Sequence, residues 1–320
     1  MHAVNHEVIE SLVEWLSSDE GCWLGTVVST WGASPRPAGS VFAFNAMRNK
    51  VVGSLSSGCI EEVLLAELRR IGGADRPFLR VYGQDASEQT AIELPCGGSL
   101  EVLLEWHSPK SHVHFEELLT GLKQRRSVCR RYDFQTGELS LVENVRSGLM
   151  VELSDTELLH TLGPVERLLI LGLGEPARYL IPIAETLEFE VSLCDPRKDV
   201  VARTAVPKGV TLYTDILPDD LIRRQFSDRR CAIVALAHDP RVDDLGLIAA
   251  LETEAFYVGA LGSLKTSKNR FERLKSLGLN SNMLNALHAP IGLDIDSNTP
   301  PEIAVSIAAQ LVSARAKRKR

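Results

Sequence analysis

Residues 167–195 constrain the fold more than any other part of the chain. The apolar run 167–171 meets the turn Gly172-Leu173-Gly174-Glu175-Pro176-Ala177, a helical stretch continues through Leu187, and a second apolar run, 190–194, ends in Asp195-Pro196-Arg197. Strand, glycine turn, helix and strand in this order form a βαβ unit, whose two strands pair in parallel. The turn has the GxGxxA form, and Asp195 lies about twenty residues beyond it, where a dinucleotide fold places a ribose-binding acid. The alternation continues: a strand at 231–236 ends in Ala237-His238-Asp239-Pro240, and one at 255–260 ends in Leu261-Gly262-Ser263. The expectation is an α/β chain whose second part, 164–320, is a Rossmann-like doubly wound parallel-sheet domain. Such a fold does not by itself name a ligand.

In an open sheet of this kind the carboxyl ends of the strands form the ligand crevice, so His238, Asp239 and Ser263 share an edge with Gly174 and Asp195. His238 reads either as a proton carrier or as a loop residue beside a helix cap at Asp239. Lys265, Thr266, Lys268 and Arg270 follow Gly262-Ser263 at a helix start, an arrangement suited to phosphate or to a solvated basic face. Further on, Thr299, Pro300 and Glu302 form a capping box for a final helix through Val312. Asp294 and Asp296 stand just before it and are placed at the crevice.

The first part, 1–163, reads as an α+β domain. Helical spacing over 8–16 is followed by a strand at 22–30, a loop at 31–39 that holds Arg36 between two prolines, and a hairpin of strands 40–44 and 50–55. The second hairpin strand feeds Ser56-Ser57-Gly58-Cys59, and helical spacing resumes over 60–71, so Cys59 stands at a helix N-terminus where a thiolate or an anion is favoured. Cys96, between Pro95 and Gly97-Gly98, precedes a strand at 99–104; the two glycines let backbone approach a ligand or make a tight turn. A helix at 115–123 and a hairpin of 127–134 with 138–142 follow, and the pattern changes over 154–164.

Composition narrows the classes. A net charge of -7 argues against a general nucleic-acid partner, the basic stretch 314–320 notwithstanding, and no apolar run approaches the length of a membrane helix. With a start that lacks the features of a secretory signal, the expected location is the cytoplasm. Six cysteines without a CxxC pair make a disulfide framework or a zinc finger an unsuited reading and leave single thiols as reactive groups.

Ser34-Pro35-Arg36, residues 53–61, Cys96-Gly97-Gly98, the glycine turn, Asp195-Pro196-Arg197, His238-Asp239-Pro240, Tyr257-Val258-Gly259-Ala260-Leu261-Gly262-Ser263 and residues 290–307 together resemble the XdhC/CoxI family of xanthine dehydrogenase accessory factors. The sequence departs from that family's pattern at Ser57, Glu175-Pro176 and Asp296. The resemblance implies a chaperone rather than a catalyst, with no catalytic residue assigned. Such a chaperone binds the molybdenum cofactor, in a molybdopterin or a nucleotide form. It holds the cofactor while a cysteine desulfurase supplies the sulfido ligand, then inserts it into a molybdenum hydroxylase apo-enzyme. Cofactor contacts are expected from Arg36, Ser57, Gly58, Cys59, Cys96, Gly97 and Gly98 in the first part. In the second part they are expected from Gly172, Gly174, Asp195, His238, Gly262, Ser263 and Asp294. Cys59 and Cys96 are the thiolates suited to the soft metal centre of the cofactor. Neither nucleic acid nor membrane is expected as a partner, and a homodimer stays open. The competing readings are an NAD(P)-dependent oxidoreductase built on Gly172, Gly174 and Asp195, and a scaffold that binds only proteins.

Overall fold

The computed structural model describes residues 2–32, 36–55, 60–83, 98–142, 150–207 and 209–318. The chain divides into two compact units, Met1–Val165 and Glu166–Arg320. Of the expected site residues, Ser57, Gly58, Cys59, Cys96 and Gly97 lie outside the described residues.

The first unit begins with α1 (His2–Ser17), β1 (Cys22–Trp31), the hairpin β2 (Val41–Asn45) and β3 (Lys50–Gly53), then α2 (Glu61–Ile71). It continues through β4 (Phe78–Gly83), β5 (Ser99–His107), α3 (His112–Lys123), β6 (Val128–Asp133), β7 (Leu139–Val142), β8 (Val151–Leu153) and β9 (Glu157–Leu162). Five strands form an antiparallel sheet in the order β3-β2-β1-β5-β4, and four form a second sheet in the order β7-β6-β9-β8. Alternate residues of β1 point to opposite faces, and helices cover both. Cys22 and Leu24 pack with α1 and α3, while Trp23 and Val27 pack with α2. This double cover lies at the start of β1, and Val28 at its end packs with Tyr132 and Leu158 of the second sheet, so β1 is buried without a break from Cys22 to Val28.

Five strands, β4, β8 and β9 here and two in the second unit, at Thr211–Tyr213 and Leu287–His288, were not expected from the sequence. β9 lies within the stretch that marks the change of pattern. Its inward positions are Leu158, His160 and Leu162, so a histidine interrupts the apolar alternation by which a strand is read.

The second unit is the expected α/β alternation. Its elements are β10 (Glu166–Leu171), α4 (Glu175–Thr186), β11 (Phe189–Cys194), α5 (Lys198–Arg203), β12 (Thr211–Tyr213), α6 (Pro218–Gln225) and β13 (Cys231–Ala235). They are followed by α7 (Pro240–Leu251), β14 (Tyr257–Ala260), α8 (Leu264–Ser276), α9 (Ser281–Asn285), β15 (Leu287–His288) and α10 (Pro300–Arg318). All six strands are parallel, in the order β12-β11-β10-β13-β14-β15. One apolar core lies between the sheet and α4 with α10, and a second lies on the other face against α6, α7 and α8. The order reverses between β10 and β13, the switch point at which a doubly wound sheet opens a crevice. Among the described residues no helix is long and apolar enough to cross a membrane.

α10 starts as expected: Glu302 Oε2 accepts the backbone N–H groups of Asn298 and Thr299, both at 2.9 Å. That is the returning half of a capping box.

Candidate functional site

A cleft of about 710 Å³ opens at the carboxyl ends of β10, β11, β13 and β14. That volume is in the range of small-molecule sites. Leu173, Val200, Leu261, Pro290, Ile291 and Ile303 supply apolar walls, and Glu175, Arg197, His238, Ser263 and Asn298 supply polar groups. A smaller hollow of about 530 Å³ lies beside Phe256, His288 and Lys317, away from these strand ends.

The glycine turn is shaped by packing. Gly172 has φ 97°, and a Cβ on it would stand 2.4 Å from the Cα of Ala237. Only glycine permits both the left-handed backbone and this close approach of β10 to the end of β13. Gly174 is the N-cap of α4 and lines the cleft.

Asp195 has a different task from the expected ribose contact. It is completely buried, and its Oδ2 accepts the Leu173 N–H at 2.8 Å and Arg197 Nη2 at 2.7 Å. Its Oδ1 accepts the Arg197 N–H at 3.1 Å and Nε at 2.9 Å. Burial works against the charge, but the hydrogen bonds from Arg197 and Leu173 outweigh it and hold the carboxyl below its ordinary value. The acid thus braces the glycine turn and orients Arg197.

Several helices begin at the cleft, and the starts of α4 and α8 differ. At α4 the N1 residue is Glu175 and the N2 residue is Pro176. One contributes a carboxylate and the other lacks an N–H, so this end is poorly suited to the phosphate that a glycine turn normally receives. At α8 the Ser263 hydroxyl caps the Thr266 N–H at 3.1 Å. The Leu264 and Lys265 N–H groups, as N1 and N2, have no acceptor within the helix.

The expected phosphate role of Arg270 is corrected by its position. Its side chain is buried, with Nη2 3.1 Å from Asp243 Oδ2, Nε 3.4 Å from Asp244 Oδ1 and Nη1 donating to the Leu261 carbonyl at 3.0 Å. Asp244 is also bonded by Arg273 Nε at 2.8 Å. Asp243 Oδ1 accepts the Ala237 N–H at 3.0 Å, and burial pushes its carboxyl up to about 6 against the pull of Arg270.

His238 follows Ala237 with φ 55° and lines the cleft. Partial burial, and next the charge of Arg270, lower its pKa, which favours the neutral ring. Asp239 is the N-cap of α7 and accepts the Arg241 N–H at 3.0 Å.

Of the expected residues, Gly174, His238, Gly262 and Ser263 meet at one cleft. Gly172 and Asp195 stand behind its wall, and Asp294 is exposed and not part of it. Asp296, where the family pattern has glycine, sits at φ 56°. Arg36 is half-buried between β1 and β2, and Gly98 is buried just before β5, both in the first unit. The contributions of Glu175, Arg197, Asp243 and Asn298 were not foreseen. A signal existed for Asp243, since an acid beside Val242 on a helix face that buries Gly246, Leu247 and Ala250 implies a buried cation.

Among the described residues no group of three or more His, Cys, Asp or Glu is placed to hold a metal ion. The described cysteines, Cys22, Cys129, Cys194 and Cys231, are buried and not joined in disulfides. Burial pushes the thiols of Cys22 and Cys194 up to about 12, which makes them unreactive.

Comparison with known proteins places both halves of the chain. Residues 168–311 match the XdhC Rossmann domain, and residues 15–83 match the XdhC and CoxI family. The chain is 28% identical over 309 residues to the molybdenum cofactor insertion chaperone PaoD of Escherichia coli (strain K12), an alignment spanning 96% of this chain and 88% of that protein. It is 25% identical over 332 residues to a probable xanthine dehydrogenase subunit of Bacillus subtilis (strain 168), spanning 97% of each. A crystal structure of a xanthine dehydrogenase from Bacillus halodurans superposes with a TM-score of 0.77 at 25% identity, covering 100% of this chain and 97% of the other.

Proposed function

Because the chain belongs to the XdhC and CoxI family, we propose that it is a molybdenum cofactor insertion chaperone. It takes up the cofactor in the cytoplasm, holds it while a cysteine desulfurase supplies the terminal sulfido ligand, and passes it to a molybdenum hydroxylase apo-enzyme. The observation that carries this reading is the likeness to PaoD over 96% of the chain.

The chemistry of the cleft supports it. Molybdopterin is a flat polar ring system with a phosphate and a dithiolene-bound metal, and some forms add a nucleotide. Apolar walls suit the face of a pterin or a base, and the free N–H groups at the start of α8 suit a phosphate. Cys59 and Cys96 are the proposed thiolate contacts to the metal end, since soft sulfur ligands suit such a centre.

The test is to purify the chain from cells making the cofactor, oxidise it, and read pterin fluorescence together with the mass of any bound nucleotide. Retained pterin and activation of an apo-hydroxylase are expected, and absence of both overturns the reading. Replacing Cys59 or Cys96 by Ser is expected to lower pterin retention, and full retention in both variants removes their role.

The GxGxxA turn keeps one competing reading in view, an NAD(P)-dependent oxidoreductase. It would set a pyrophosphate against Glu175 and Pro176 at the start of α4, the less suited of the two helix ends. Retention of a nicotinamide and no pterin would favour it.

A further inference from the structure

Ala237 has no functional side chain, yet two ion pairs, each with a buried acid, converge on its backbone. Its N–H donates to Asp243 Oδ1 at 3.0 Å, and its carbonyl accepts Arg197 Nη1 at 3.2 Å. Behind it, Gly172 leaves no room for a Cβ. The two side chains that hold Ala237 are themselves held, Asp243 by Arg270 at 3.1 Å and Arg197 by both oxygens of Asp195. Asp195, Asp243 and Arg270 are all buried. The residue that emerges from this clamp is His238, in the left-handed region that disfavours side chains, and it lines the cleft.

A strained backbone persists when its surroundings over-determine it, and such strain gathers where a side chain must be aimed. Resting on the reading that the cleft receives the cargo, we propose that His238 is the side chain with which the cleft contacts it, and that Arg197 and Asp243 are positioning residues acting through Ala237. A neutral imidazole offers one N–H donor and one acceptor nitrogen. The partner it suits is the amide edge of a pterin or a purine, which presents both kinds of group, rather than a phosphate, which an imidazolium would serve better.

The variant His238→Gly tests this cleanly, because glycine relieves the left-handed strain. If His238 is only a loop residue, the variant melts higher and binds as before. On the proposal its Tm rises by about 2–4 °C while affinity for isolated molybdenum cofactor, followed through its oxidised pterin, falls about tenfold, the worth of one lost hydrogen bond. Asp243→Asn and Arg197→Gln each weaken binding in the parent chain, and neither weakens it further in the His238→Gly background, because both act through that ring. The imidazole resonance that disappears in His238→Gly shifts in the parent chain when the cofactor is added. If Arg197→Gln is insoluble, Asp243→Asn carries the same comparison. A parent chain that retains no pterin removes the proposed function and this inference together. A parent chain that binds, with undiminished binding in His238→Gly, removes this inference alone. Losses that add to His238→Gly overturn the positioning roles.

Discussion

Each unit buries a network of charges, and the two networks end differently. In the first unit Glu105 on β5 and Arg130 on β6 are completely buried and form a two-pronged ion pair, Nη1 donating to Oε2 at 2.9 Å and Nη2 to Oε1. Burial works against the charge on Glu105, but Arg130 outweighs it and holds the carboxyl down to about 2. Around the pair stand His107, whose Nε2 is 3.5 Å from Glu105 Oε2, together with His114 and His160. The ion pair joins side chain to side chain across the two sheets, from β5 to β6. In the second unit the charges of Asp195, Arg197, Asp243 and Arg270 end on backbone, at Leu173, Ala237 and Leu261. Buried pairs are costly in either place. The first specifies how two sheets meet, and the second sets the loops of a cleft.

The sharpest way to break this contrast is to remove one charge from the interior network. Arg130→Met leaves Glu105 buried without a partner and is expected to cost about 3–5 kcal/mol. All four tryptophans, at 15, 23, 31 and 106, belong to the first unit, so their fluorescence in a urea titration reports this loss. An unchanged midpoint would mean the pair does not organise that core.

Gly172→Ala applies a comparable stress on the other side. A Cβ 2.4 Å from the Ala237 Cα, at φ 97°, is expected to cost about 2–3 kcal/mol and to abolish pterin binding. Calorimetry should show a lower transition for the second unit, with the tryptophan signal unmoved.

pH separates the units more gently. Burial, and next the charge of Arg130, push the His114 and His160 pKa values down to about 3, against about 6.5 when unfolded. Between those values the unfolded chain binds the extra protons, so stability is intact above about pH 6.5 and is lost as pH falls. From pH 7.5 to 5.5 the expected loss is about 1 kcal/mol for each histidine, read as a falling urea midpoint in tryptophan fluorescence. His160→Asn should remove about half of that pH dependence.

The smallest effect is at the start of α4. Glu175→Gln removes a negative charge beside that helix end and should raise the affinity for inorganic pyrophosphate about two- to fivefold. No gain in an equilibrium titration would show that Pro176 alone makes this end unreceptive.

Four of the six parallel strands, β10, β11, β13 and β14, were legible because they are short apolar runs closed by glycine, proline or aspartate and followed by helical spacing, whereas β12 and β15 span only three and two residues. Gly174, His238 and Ser263 could be placed at one edge by topology alone. Asp195 could be located but not understood, because spacing shows where an acid stands and not that Arg197, two residues later, occupies both of its oxygens. Arg270 sits among Lys265, Thr266 and Lys268 and looks like one of a basic group, while the acids that bury it lie 26 and 27 residues earlier on α7. In the first unit, β4 and β8 are largely half-buried, and β9 turns His160 inward, so neither apolar runs nor clean alternation mark them. Long-range polar pairing is invisible to any window of residues.

α10 serves two structures at once. Ala304, Ile307, Ala308 and Leu311 pack in the core that it shares with α4, while Pro300 and Ile303 line the cleft. On a ribosome the strands from β10 to β14 emerge before this helix exists, and the apolar side of α4 waits for a partner far along the chain. The cleft therefore gains its last wall in the same step that seals the core. On the proposed function, a cargo that depends on that wall distinguishes a finished domain from a nascent one, and loading waits for a chain that has completed folding.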